Sequence, residues 1–312
     1  MKAVRFHEYG EPNVLRYEDV EKPVPAPGEV RIRVAATSFN PVDAGIRGGY
    51  LREVFPVVLP HVPGLEIAGT IDAVGANVTD RQVGDRVIGF LPMLAEGAAA
   101  EYVVAPVEIL ADAPTSIPLA DAAALPLVGL TAWQALFEHG TPREGQRLLI
   151  NGAGGAVGAY AVQLAKQVGA YVIATASPRS TDRVREAGAD EIVDHTTTDV
   201  LAAVREPVDV VMNLAPIVPA ELSALARLVR TGGVVLNTVP TAMPKEMNGV
   251  RAVAVFVRND PEQLRGLVAK VDSGELHVDV AERVPLNELR AVHARADAGV
   301  LVGKVVVLPA AA

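Results

Sequence analysis

The chain has 312 residues, of which 50% are hydrophobic and 21% charged, with a formal net charge of −9. This describes about two globular domains with sizeable cores and excludes a disordered or strongly basic chain. No Lys/Arg cluster marks a nucleic-acid footprint, and the absence of cysteine excludes disulfides, a thiol nucleophile and thiolate metal ligands.

The N-terminal segment Met1–Glu8 carries charges every few residues and has no signal-like apolar block. The most apolar stretch, Ala122 to Phe137, is too short and too interrupted to span a bilayer. A cytoplasmic protein without a membrane partner is expected.

Residues 1–116 read as β-rich. Short apolar or alternating runs at Val4–Phe6, Val30–Val34, Ile67–Val74, Arg86–Phe90 and Tyr102–Val104 are separated by turn formers such as Pro27-Gly28, Gly75-Ala76-Asn77 and Val83-Gly84-Asp85. From 117 to 258 the pattern alternates helix and strand. A helical stretch at Ala120–His139, broken near Pro126, leads into strands at Leu148–Asn151, Tyr171–Ala176, Glu191–Asp194, Val208–Asn213, Val234–Thr238 and Val250–Val257. Helices are expected near 157–168, 180–187, 198–204 and 219–230. Six strands with helical crossovers predict a doubly wound parallel sheet. Residues 259–312 hold a helix (Pro261–Asp272), a strand near His277–Val284, a helix (Leu286–Ala296) and a strand Lys304–Leu308. That tail exceeds what a nucleotide domain needs, so it is expected to return to the first domain.

The most specific local signal lies mid-chain. Leu148–Asn151 runs into Gly152-Ala153-Gly154-Gly155-Ala156-Val157-Gly158 and then an apolar helical segment. Strand, tight glycine turn and helix form the site where a dinucleotide pyrophosphate docks. The glycines permit the turn and the close approach, and the helix N-terminus offers amides and a positive dipole end. An NAD site usually ends its second strand with an acid that bonds the ribose 2′-hydroxyl. Here the strand ends at Ala176 and is followed by Ser177-Pro178-Arg179-Ser180-Thr181-Asp182-Arg183. Ser177, Arg179 and Arg183 suit a 2′-phosphate, which makes NADPH the expected cofactor; the plainer alternative is that both arginines are solvated residues of a helix start.

Several pieces in order resemble one family. They are Phe6–Pro12, Ser38-Phe39-Asn40-Pro41-Val42-Asp43, Pro63-Gly64-Leu65-Glu66-Ile67-Ala68-Gly69, Val83–Val87, Leu130-Thr131-Ala132-Trp133, the glycine turn and Gly303-Lys304-Val305-Val306. Together they resemble the zinc-free quinone oxidoreductase, zeta-crystallin-like branch of the medium-chain dehydrogenase/reductase family. The resemblance implies a Rossmann domain inserted into a β-rich GroES-like catalytic domain. It also implies an active site in the cleft between them and a homodimer paired through Rossmann edge strands.

The family's zinc enzymes place His where this chain has Leu65 and use Cys elsewhere; of that ligand set only Glu66 remains, so no metal is expected. Without a metal, the hydride acceptor must already be activated, as in a quinone or α,β-unsaturated carbonyl. By resemblance, Asn40 lies near the nicotinamide and the acceptor oxygen, although Asn before Pro41 also suits a helix cap. Tyr50 is the proton-donor candidate, with a loop aromatic as the alternative and water as the other proton source. Thr131 matches the Thr beside the nicotinamide, unless it only bonds its own helix. Asn213, Leu214, Phe256 and Val257, at strand ends, are expected to line the cofactor crevice. Asp43 is read as ordering its loop. The alternatives to a quinone or enone reductase are an enoyl-thioester reductase of acyl or polyketide intermediates and a non-catalytic NADPH-binding protein.

Overall fold

The computed structural model describes residues 1–239 and 249–309. In chain order the elements are β1 (Lys2–Phe6), β2 (Leu15–Asp19), β3 (Glu29–Ser38), α1 (Pro41–Arg47), β4 (Glu66–Val74), β5 (Arg86–Phe90), β6 (Tyr102–Pro106) and β7 (Leu110–Asp112). Then follow α2 (Pro126–Gln134), β8 (Arg147–Asn151), α3 (Ala156–Gln167), β9 (Tyr171–Ala176), α4 (Thr181–Glu186), β10 (Glu191–Asp194) and α5 (Val200–Ala203). The chain continues with β11 (Val208–Asn213), α6 (Pro219–Ala226), β12 (Val229–Asn237), β13 (Arg251–Ala254), α7 (Pro261–Asp272), β14 (Glu282–Pro285), α8 (Leu289–Asp297) and β15 (Val305–Leu308).

These elements fall into two compact units, Met1–Leu127 together with the segment from Asn259 onward, and Val128–Arg258. The first unit runs on to Leu127 because the 3-10 turn Asp121–Ala124 is anchored there. Its Asp121 accepts from Arg283 Nε at 2.7 Å, and its three alanines are buried.

The first unit is a coiled β-structure. A seven-stranded sheet has the order β14-β15-β3-β4-β5-β7, with β6 also pairing β3, and β1 and β2 form a separate hairpin. Its pairings are antiparallel except β14 with β15. The ten-residue β3 serves three neighbours, pairing β4 along its length with register shifts, β6 at Glu29–Arg33 and β15 at Thr37 and Ser38. The C-terminal strand β15 pairs β3 at Thr37 and Ser38, which carries Lys304 to the end of that strand.

The second unit is a six-stranded parallel sheet of order β10-β9-β8-β11-β12-β13. Its central runs, Leu148–Ile150, Val172–Ala174, Val210–Met212 and Val234–Leu236, are buried throughout, as strands covered on both faces must be. The strand order reverses between β8 and β11, the switch point at which such sheets bind ligands beyond the strands' C-terminal ends.

Several local expectations shift. The Ala120–His139 stretch divides into the 3-10 turn, α2 and a π-type segment Ala135–Gly140, with Pro126 starting α2 because its fixed φ and missing N–H suit a first helical position. The helix expected to 230 stops at Ala226, since Val229 already pairs with Val208. The late strand begins at Glu282 rather than near His277. The strands β2 and β7 and the helix α1 were not anticipated: β2 alternates weakly, β7 has three residues, and the glycines at 45, 48 and 49 mask the short helix.

Candidate cofactor and active site

The glycine turn is built as its sequence requires. Gly152 sits at φ +86°, a backbone region that side chains other than glycine seldom enter. A Cβ on Gly158 would lie 2.3 Å from the Ala153 carbonyl oxygen, so helix α3 can close onto the turn only with glycine there. A Cβ on Gly154 would lie 2.3 Å from Ser180 Oγ. The turn is therefore pressed against the bend after β9, where Ser180 Oγ also accepts from the Ser177 amide at 3.2 Å. This brings Gly152–Gly158 and the Ser177–Arg183 segment together in one unit, with Gly155 as the N-cap of α3. Arg179 is exposed and Arg183 half-buried on α4.

The floor of this region is a row of amides. Asn151, Asn213 and Asn237 end three adjacent strands, β8, β11 and β12, in register with one another. Asn151 Nδ2 donates to Asn213 Oδ1 and Asn213 Nδ2 donates to Asn237 Oδ1, both at 2.8 Å. Thr175 Oγ1 donates to Asn151 Oδ1 at 3.0 Å and accepts from the Gly152 amide at 2.8 Å. The Leu214 amide donates to the Asn151 carbonyl at 2.8 Å, which sets the next loop beside the turn. Phe256 and Val257 lie just past the end of β13, Phe256 with 61% of its surface exposed. Thr131 is buried in α2.

A second polar centre lies in the first unit. Glu66 is fully buried at the start of β4, and Lys304 is 2% exposed. Glu66 Oε2 accepts from Ser38 Oγ, from Asn40 Nδ2 at 2.8 Å and from the Lys304 ammonium, while Oε1 accepts from the Leu127 amide at 2.8 Å. Lys304 Nζ also donates to Asn40 Oδ1 at 2.7 Å. Both ends of the Asn40 amide are thus held, and its side chain turns into the interior rather than over the helix it precedes. The cap of α1 is made instead by Asp43, whose carboxylate accepts from the Asn40 amide at 2.8 Å and the Gly64 amide at 3.2 Å. Burial pushes the Asp43 carboxyl up to about 7, those two amides pulling the other way. Behind α1, Arg47 bonds Asp297 at 2.7 Å, and His293 stacks edge-on against Phe39 with centroids 4.8 Å apart. Burial lowers His293 to about 3, with Arg47 adding to the shift, and burial lowers His61, edge-on to Phe6, to about 4. Tyr50 is on the loop after α1 with 80% of its surface exposed.

Sequence reasoning named Glu66 only as a remnant of a metal set and gave Lys304 no role. A lone lysine leading a valine run was the available signal, because such a residue must find a buried partner. The amide row left a plainer trace in Leu-Leu-Ile-Asn, Val-Val-Met-Asn and Val-Val-Leu-Asn, three apolar strands each ending in Asn.

Among the described residues no helix is long and apolar enough to cross a membrane. Residues 26–115 match the alcohol dehydrogenase GroES-like domain and residues 187–307 the zinc-binding dehydrogenase family. The chloroplast envelope quinone oxidoreductase homolog of Arabidopsis thaliana is 33% identical, across 99% of this chain and 98% of that protein. Among solved structures, an NAD-dependent alcohol dehydrogenase superposes with a TM-score of 0.90 at 28% identity, covering 99% of this chain and 100% of that one. A mycobacterial protein complexed with NADPH does so with a TM-score of 0.88, also at 28% identity, covering 99% and 100%. The chain belongs to the medium-chain dehydrogenase/reductase family, in its quinone oxidoreductase, zeta-crystallin-like branch.

Proposed function

We propose that this oxidoreductase is a metal-independent, NADPH-dependent reductase of quinones or α,β-unsaturated carbonyls. The observation that carries the reading is the state of Glu66. Leu65 stands where the zinc enzymes have His, and the one remaining acid of that set is neutralised by Lys304 and bonded by three further donors. Such a carboxylate has both oxygens engaged and its charge already matched, and with no His or Cys beside it this donor set does not fit a catalytic zinc. The acceptor then has to delocalise incoming charge itself, as quinones and enones do.

The cofactor assignment rests on the second unit. The cradle formed by Gly152, Ala153, Gly154, Gly155, Ala156, Val157 and Gly158 fits a pyrophosphate at the start of α3. Ser177, Arg179 and Arg183 favour a 2′-phosphate, no acid ending β9. When bound, NADPH supplies the hydride. Asn213, Leu214, Phe256 and Val257 are assigned to its crevice and Thr131 to the nicotinamide. Asn40 is the donor toward the developing oxyanion through its second Nδ2 hydrogen, with Glu66 and Lys304 holding the amide's orientation. Tyr50 is the proton donor. A homodimer paired through edge strands of this sheet is also proposed; among the described residues β10 and β13 are its edges.

The test is turnover by the purified protein with 9,10-phenanthrenequinone and with a simple enone, run in parallel with NADPH and NADH and after chelator treatment. Oxidation of NADPH that survives chelation is expected, and Tyr50→Phe should slow enone reduction about tenfold, about 1.4 kcal/mol. Tight NADPH binding without turnover on a broad acceptor panel would favour a non-catalytic role. Turnover only with enoyl thioesters would favour the acyl reductase. Unchanged enone reduction in Tyr50→Phe would leave protonation to water.

A further inference from the structure

The amide row across the parallel sheet has a direction. The Gly152 amide donates to Thr175 Oγ1, Thr175 Oγ1 to Asn151 Oδ1, Asn151 Nδ2 to Asn213 Oδ1, Asn213 Nδ2 to Asn237 Oδ1, and Asn237 Nδ2 to the Val239 carbonyl. The five bonds join donor to acceptor in one sequence, and three of them cross the sheet one way, from β9 to β8 to β11 to β12, through its switch point. Each side chain in the row is at least nine-tenths buried, Asn213 and Asn237 almost wholly so. Three loops hang from it: the glycine turn through Gly152, the segment after β11 through the bond from Asn213 Nδ2 to the Ala215 carbonyl at 3.0 Å, and the segment after β12 through Val239.

We propose that Thr175, Asn151, Asn213 and Asn237 form a polarised ladder that positions the glycine turn relative to the loops beyond β11 and β12, and so sets dinucleotide affinity. Asn is the residue the device needs. Its amide accepts at one end and donates at the other, so each rung passes the direction to the next strand, whereas a carboxylate of the same shape only accepts. In a buried, low-dielectric row such bonds polarise one another, and one reversed or missing donor is felt along the chain. The spacing of parallel strands supplies the registry, because in-register residues point to the same face. Thr175, Asn151 and Asn237 are positioning residues, acting on the cofactor through Gly152 and the loops rather than by touching it, and Asn213 joins the row to the crevice it lines. The inference rests on the dinucleotide reading of the site.

The test measures NADP+ dissociation constants by calorimetry, NADPH steady-state kinetics and cofactor-free thermal unfolding for Asn213→Asp, Thr175→Val and Thr175→Ser. Asn213→Asp removes the donor toward Asn237 and Ala215 without changing shape, and is expected to raise the NADP+ dissociation constant at least tenfold. Its KM for NADPH should rise in step, and in Thr175→Val, at a residue outside the crevice, KM should rise while kcat stays within about threefold. Thr175→Val, isosteric in a strand that favours β-branched residues, keeps the fold and should weaken NADP+ binding similarly. Thr175→Ser, which restores the hydroxyl, should bind several-fold more tightly than Thr175→Val. Lower melting temperatures with unchanged NADP+ affinity would overturn the ladder's positioning role and leave the dinucleotide reading intact. So would a Thr175→Ser protein no better than Thr175→Val. Wild-type protein that binds neither NADP+ nor NAD+ would overturn both.

Discussion

Each unit buries a polar network, and the two are built on opposite electrical plans. In the first unit Glu66 and Lys304 bury opposite charges, with Asn40, Ser38 and the Leu127 amide filling the remaining bonding positions. In the second, Thr175, Asn151, Asn213 and Asn237 use only neutral dipoles. A buried charge is tolerated only while its partner stays, so the first network depends on every member being present. Breaking a neutral row leaves only unpaired dipoles, which cost less to bury than an unpaired charge. The first plan suits a centre that must hold one amide in one orientation. The second suits a floor that must keep several loops in register.

The largest effect should come from breaking the charge pair. Lys304→Met leaves Glu66 buried without its counter-charge and should lower unfolding free energy by about 3–5 kcal/mol. Adding Glu66→Gln should recover part of that loss. Asn213→Leu, which leaves unpaired neutral groups, should cost only about 1–3 kcal/mol. Urea unfolding of the three proteins checks this, and equal losses for Lys304→Met and Asn213→Leu would erase the distinction between the networks.

Acidity sharpens the same contrast, because the titrating groups sit around the first network. Between about pH 4 and 6.5 native Asp43, raised to about 7, holds a proton that the unfolded chain has released. Native His61 and His293, lowered to about 4 and about 3, lack protons that the unfolded chain holds. These three groups leave the unfolded chain one proton richer, so their combined contribution to stability rises with pH by about 1.4 kcal/mol per unit. Asp43→Asn removes the opposing group and should steepen that slope by a similar amount, while Thr175→Val should lower stability without altering it. Urea midpoints measured from pH 4 to 7 decide the matter, and a slope unchanged by Asp43→Asn would remove the buried proton from the account.

The smallest effect belongs to the rim of the second unit. Arg179 is exposed, so Arg179→Ala should leave stability within about 0.5 kcal/mol of wild type. It should weaken NADPH binding about tenfold and NADH binding little. Equal loss for both cofactors would remove the 2′-phosphate assignment and leave recognition to the turn and its floor.

What could be read from the chain was what is local. The glycine turn, the strand runs on either side of it and the acid-free end of β9 each lie within a few residues, and their chemistry follows from spacing and backbone freedom. Helix α1 was hidden because its stability comes from Asp43 bonding Asn40 and Gly64 and from the Arg47–Asp297 pair, contacts its own glycine-rich sequence does not advertise. The helix expected to reach 230 was cut short by pairing of Val229 with a distant strand.

By itself the sequence determined the two-part β-rich and α/β organisation, the place of the glycine turn and the family, because periodicity, glycine spacing and ordered motifs are properties of neighbouring residues. Only the tertiary structure decided that Lys304 meets Glu66 across 238 residues and that three strand-ending asparagines join in one row. Both are long-range pairings that buried polar groups require and that no local pattern specifies.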